Sequence, residues 1–134
     1  MKIFKTILLT LATAFTCIIL FFFISNSYVL PWEKDEVIET TLAWGGLHDL
    51  PKEIKNLKIN KKGSPFTRQF IIEFEVNQPE QITNWIDKSK RLKNNTAKIN
   101  QHKKVFEIYP GEEGANGGTV EIIDTKVRIN MSWS

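Results

Sequence analysis

Apolar residues are distributed along this chain in three ways, and each predicts a different kind of element. From Ile7 to Ile24 there are 18 successive residues without a charge, and the uncharged stretch extends from Thr6 to Trp32, interrupted by the polar Ser25-Asn26-Ser27. At roughly 1.5 Å per residue the apolar run reaches about 27 Å, close to the ~30 Å of a bilayer's hydrocarbon layer. Ile18 to Ile24 is apolar all round and lacks the polar stripe of a helix lying on a core. A transmembrane helix over residues 7–27 is the expectation.

The second pattern is alternation. Phe66, Phe70, Ile72, Phe74 and Val76 fall on one side of an extended chain, and Thr67, Gln69, Ile71, Glu73 and Glu75 on the other, which predicts a strand with one buried face. Lys126 to Trp133 alternates more cleanly, with Val127, Ile129, Met131 and Trp133 opposite Lys126, Arg128, Asn130 and Ser132. Lys103–Tyr109 and Gly118–Ile123 are further strand candidates, and Asp124-Thr125 is short enough to make a tight hairpin between Gly118–Ile123 and Lys126–Trp133. Residues 110–117 then form a longer loop. The third pattern has helical spacing: Ile82, Trp85, Ile86, Ser89 and Leu92 lie on one stripe, with Asn77 as cap, Pro79 at the first helical position and Glu80 in the first turn. This helix is expected to run to about Leu92.

Between Glu36 and Trp44 the apolar residues fit neither period, and Gly45-Gly46 stops whatever precedes it, so a short helix or linker is expected. Pro51 predicts the first turn of a brief helix before Leu57-Lys58-Ile59 extends as a strand. Together these elements predict an α+β chain. A single N-terminal transmembrane helix is followed by a small antiparallel sheet with one main helix packed on one face. The expected organisation is a cytoplasmic N-terminus over residues 1–6, a signal-anchor helix over 7–27, a juxtamembrane linker or short helix over 28–50, and an extracytoplasmic domain over 51–134.

Charge decides which way the anchor points. Lys2 and Lys5 precede the apolar run, whereas Glu33, Asp35 and Glu36 follow it with only Lys34 between them. The positive-inside bias therefore places the N-terminus in the cytoplasm and the C-terminal domain in the periplasm or outside the cell. Tyr28 and Trp32 stand where interfacial aromatics belong. The competing reading is a signal peptide cleaved near Ser27, which would release a secreted domain, although an apolar core of about 7–15 residues is usual for one. A lipid-modified Cys17 is disfavoured, because Ala14 and Phe15 make a poor recognition sequence before it. As the one cysteine, Cys17 also excludes an intrachain disulfide.

Of the 18 Lys and Arg residues, 16 remain after Lys2 and Lys5 are set aside, against 15 acids, so the folded part is nearly neutral and nucleic-acid binding is not indicated. The distribution is uneven. Lys88 to Lys104 holds seven basic residues and no acid, and Val105 to Asp124 holds five acids and no base. The basic run reads either as a patch for an acidic protein or anionic headgroups, or as a solvated helix end.

Gly111–Gly118 lacks the Gly-Lys-Ser/Thr ending of a phosphate loop, and its acids do not match a calcium loop. His48-Asp49 has no Ser or Cys nucleophile in a recognised setting, and His48 with His102 makes no zinc spacing. No catalytic, cofactor-binding or metal-ligating residue is assigned. Trp44 beside the glycine pair reads as an exposed contact or as a lid on the core. The candidate interaction surface is Trp44, His48, Lys88, Lys90, Arg91 and Lys93. The expected function is that of an anchored binding or accessory module contacting another macromolecule, a protein at the membrane, through its sheet or its basic helix end. A small hydrolase or ligand-binding enzyme using His48, Asp49 and a glutamate from a distant strand is one alternative, and a structural envelope component is another.

Overall fold

The strand predicted from the alternation of Phe70, Ile72, Phe74 and Val76 lies one place in from the edge of a six-stranded sheet, and it is where the two covering helices meet. The computed structural model describes residues 1–64 and 66–134. Helix α1 (Lys2–Ser27) leads through a single 3-10 turn (Pro31–Glu33) into α2 (Lys34–Gly45). Strands β1 (Ile54–Ser64) and β2 (Thr67–Val76) precede α3 (Pro79–Lys88), and β3 (Lys98–Asn100), β4 (Lys103–Ile108), β5 (Gly117–Ile123) and β6 (Lys126–Trp133) complete the chain. The six strands form one sheet in the order β1-β2-β6-β5-β4-β3, with every pairing antiparallel. This is an α+β fold preceded by one long apolar helix.

Helix α1 has 26 residues and none of them is buried. It is long and apolar enough to cross a membrane. Its threonine hydroxyls need no water: Thr6, Thr10, Thr13 and Thr16 each donate to the carbonyl one turn back, at 2.9 to 3.1 Å. In hydrocarbon, where an unpaired polar group costs several kcal/mol, that is the arrangement a spanning helix requires.

Pairing register carries the apolar set of each strand onto a common face. Phe70, Ile72, Phe74 and Val76 of β2 align with Val127, Ile129 and Met131 of β6, followed by Val120 and Ile122 of β5 and Phe106 and Ile108 of β4. Two helices cover this face. From α2, Val37, Leu42 and Trp44 enter the core, and from α3, Ile82 and Trp85. Trp44 stacks on Phe70 with ring centroids 5.2 Å apart, and Trp85 meets Phe74 edge-on at 5.9 Å, so both helices rest on the same side of β2.

Residues 34–45 form a helix, one of the two alternatives expected before Gly45-Gly46, and it shares the core of the sheet. Several other expectations are corrected. No helix opens at Pro51, because Ile54 already pairs with Val76 and sheet pairing holds that segment extended. The stripe of α3 reaches Leu92 but the helix stops at Lys88. Ser89 is extended, its N–H closes onto Trp85 and Ile86, and its hydroxyl donates to the Trp85 carbonyl at 2.8 Å. The cap is Gln78 rather than Asn77, and the Gln81 side chain accepts from the N–H groups of both. Phe66 is not on the buried face: it lies in the β1–β2 turn and is 83% exposed. Strand β3 went unforeseen because all three of its residues are exposed, leaving no buried face to generate alternation.

Candidate functional site: the open face of the sheet

The helices cover one face of the sheet, and the residues between the core positions point to the other. Register brings Lys58 of β1 opposite Glu73 of β2, Glu73 opposite Arg128 of β6, and Arg128 opposite Glu121 of β5. Lys103 of β4 closes the row diagonally. Charge sign alternates at every step, so each cross-strand neighbour is favourable. Arg128 Nε lies 3.7 Å from Glu73, and Lys103 Nζ lies 2.9 Å from Glu121. A parallel row runs from Lys55 through Glu75 and Lys126 to Ile123.

A bulge deforms β1 at this point. The register shifts between Lys55 and Lys58, and Asn56 adopts a left-handed φ of 55° that its short polar side chain tolerates. The Asn56 amide donates to Glu75 at 3.0 Å, and Thr125 Oγ1 donates to the same carboxylate at 3.4 Å. The Asn56 bond, with Lys55 and Lys126 nearby, holds the Glu75 carboxyl below the usual carboxylate range. The bulge helps bound a concavity of about 610 Å³. Of the apolar residues that line it, Leu57 and Ile123 are the exposed ones, at 41% and 43%, among Lys58, Lys103 and Lys126. Among the described residues Lys58 and Lys126 have no ion-pair partner within 4 Å.

The residues singled out in the sequence fall elsewhere. Trp44 is only 8% exposed and stacked in the core, so it presents no contact surface. His48 works through its backbone: its N–H donates to Ser89 Oγ at 3.0 Å and its carbonyl accepts the Trp85 indole N–H at 2.9 Å, which fastens the α2–β1 loop to α3. Its imidazole is exposed, as is Asp49. Asp49 lies on the rim of a separate apolar groove of about 510 Å³ along α2, lined by Ile38, Leu47 and Leu50 with Asp35 and Glu39. His102 is exposed in the β3–β4 turn. Among the described residues, no three His, Cys, Asp or Glu side chains are placed to share a metal ion.

The basic helix end is divided. The acidic run folds back so that Glu112 accepts from Arg91 Nη1 at 3.0 Å and Lys90 Nζ at 3.4 Å, while Lys88 and Lys93 stay exposed without ion pairs among the described residues. Arg91 also donates to the Pro110 carbonyl at 2.8 Å. The Glu112 N–H donates to the Trp44 carbonyl at 2.7 Å and the Arg91 N–H to Gly46 at 3.2 Å. The Arg91 and Lys90 bonds hold the Glu112 carboxyl below its ordinary value. Gly46 is required at this junction, because it sits at φ 57° and a Cβ there would meet the Arg91 side chain. Two of the four cations in the expected patch therefore join loops together.

Leu57, Lys58, Ile123 and Lys126 were not singled out in the sequence. Ile123 carried a signal, as an apolar residue on the polar side of β5. The Asn56 bulge left none, since its register shift is visible only against β2. The chain matches no family model, no curated protein and no solved structure.

Proposed function

We propose that this protein is a single-pass, membrane-anchored binding module, with its N-terminus in the cytoplasm and the open face of its sheet offered to a protein partner outside. The observation that carries the reading is the uncovered face itself: strands whose outward residues form an alternating charge lattice around a concavity with two exposed apolar residues in it. Partly apolar recesses with a few placed polar groups are where ligands and partner side chains seat. The alternation of sign selects the class of partner. A polyanion approaching Lys58, Arg128 and Lys103 would also meet Glu73 and Glu121, whereas a protein surface of complementary pattern satisfies both signs at once. Helix α1 and the flanking Lys2 and Lys5 against Glu33, Asp35 and Glu36 support the anchor and its direction.

The test uses the full chain in its native membrane, with a photo-crosslinking residue at Leu57 or Ile123 and a control at Asn84 on the outer side of α3. An adduct of discrete mass is expected from the sheet positions and not from Asn84. Absence of an adduct at both sheet positions would overturn the reading. A C-terminal reporter that is active only outside the cytoplasm tests the direction, and an inactive fusion of full abundance would reverse it.

A further inference from the structure

The tip of the β1–β2 hairpin stands beside the end of the long apolar helix, and we infer that Phe66, flanked by Lys62 and Arg68, is a second membrane contact that dips into the interface of an anionic bilayer. This rests on the reading of α1 as a membrane anchor. Ser25 and Asn26, immediately after the last apolar residue of α1, share a cleft of about 310 Å³ with Gly63, Ser64, Thr67 and Arg68. The hairpin tip therefore lies at the level where α1 would leave the hydrocarbon.

That placement is held by contacts and not left to a flexible linker. Val29 packs against the core of the sheet immediately after α1. Glu33 Oε2 accepts the Leu30 N–H at 2.9 Å and the Lys61 ammonium at 3.0 Å, joining the chain after the helix to β1 close to the hairpin turn. The turn is braced within itself: Ser64 and Thr67 hydroxyls are 3.0 Å apart, the Phe66 N–H donates to Ser64 Oγ at 3.3 Å, and the backbone of Thr67 approaches Gly63 too closely to admit a Cβ.

On this fixed mount Phe66 is 83% exposed, and Lys62 and Arg68 are exposed without ion pairs among the described residues. Tyr28 and Trp32, exposed at the helix exit, are the amphipathic aromatics that favour the headgroup zone. An apolar ring between two cations matches an anionic interface on both counts, through burial of the ring and attraction of the charges. A protein partner for the open sheet face would not require this, since the tip lies at the far end of the β1–β2 hairpin from the Asn56 bulge.

The experiment places an environment-sensitive NBD label on the full chain in nanodiscs of phosphatidylcholine with or without phosphatidylglycerol. Three single-cysteine forms are compared: native Cys17, Cys17→Ser with Phe66→Cys, and Cys17→Ser with Asn84→Cys, an exposed position on α3. Expected are quenching of the Cys17 label by lipids spin-labelled deep in the chain, and of the label at 66 by lipids spin-labelled near the headgroup. The label at 66 is also expected to be severalfold less accessible to iodide than the label at 84, with the protection strengthened by phosphatidylglycerol and weakened by Lys62→Gln with Arg68→Gln. Quenching at 17 with a water-exposed label at 66 would overturn the hairpin contact and leave the anchor standing. No quenching at 17 would overturn both. Protection at 66 only in native membranes, without lipid quenching, would assign the tip to a protein and overturn the proposal.

Discussion

Ile129 and Arg128 are consecutive residues of β6, yet the first is fully enclosed and the second has a side chain nearly half exposed. The same division runs along β2 between Ile72 and Glu73, and along β5 between Val120 and Glu121. One face of the sheet meets two helices and is almost wholly apolar, while the other meets solvent and carries a charge lattice. On the covered face, burial makes each residue costly to change. On the open face, water competes for every interaction and leaves the residues free to serve a partner.

The largest expected effect follows from that division. Ile129→Ala removes methyl groups from a position with no exposure and should cost about 2 to 5 kcal/mol. Denaturation of the full chain in detergent, followed through the buried Trp44 and Trp85, measures it. A loss below about 1 kcal/mol would mean that this face is loosely packed and that the contrast fails. Ile71 sharpens the comparison, because it faces the open side yet is only 4% exposed. Asn60 and Asn130 stand directly opposite it, and Gln69 donates to Asn130 at 2.8 Å beside it. Ile71→Ala should fall between the two faces, above the roughly 0.5 kcal/mol of an ordinary surface change.

Much of this contrast was legible in the sequence, because alternation is a local signal wherever a strand has exactly one apolar face. Residues 126–133 and 70–76 show it, and the helical stripe Ile82-Trp85-Ile86 shows its counterpart. Helix α2 was legible only as one of two alternatives: its buried Thr41 and Gly45 blur the apolar stripe, since what they contact is set by strands far along the chain. The open-face concavity was illegible for a related reason. It needs the register of five strands and a bulge at Asn56, which are properties of pairs of segments and not of any single one. His48 and Trp44 drew notice as residue types, whereas the fold uses a backbone in one case and a core ring in the other.

A smaller effect is expected at the ion pair on the margin of the covered face. Lys61 stands opposite Phe70 on the covered side, and its side chain and that of Glu33 are 13% and 27% exposed. The Leu30 N–H, followed by Lys61, holds the Glu33 carboxyl below its ordinary value near 4.5. With the folded pKa depressed, the unfolded chain takes up the proton first as pH falls. The stabilisation is therefore complete above about pH 5 and is lost as pH drops through the folded value. Glu33→Gln should cost about 1 to 2 kcal/mol at neutral pH and flatten the acid limb of the stability profile. Denaturant midpoints from pH 7 down to 3 test both, and an unchanged acid limb would show that the clamp contributes nothing.

The smallest effect on stability carries the most weight for function. Lys58 and Lys126 stand on the open face without an ion pair among the described residues, so replacing each with Gln removes little Coulomb energy and leaves the apolar face untouched. The double variant should stay within about 0.5 kcal/mol of the parent per site. If these cations served only solubility, the crosslink from Leu57 would survive their loss, because the remaining charges keep the surface wetted. If they meet a partner's carboxylates, the adduct should fade while the denaturation midpoint stays in place. A midpoint that falls with the adduct would assign the lattice to the fold and remove the distinction between the two faces. A stable variant with an undiminished adduct would move the contact from the charges to Leu57 and Ile123 alone.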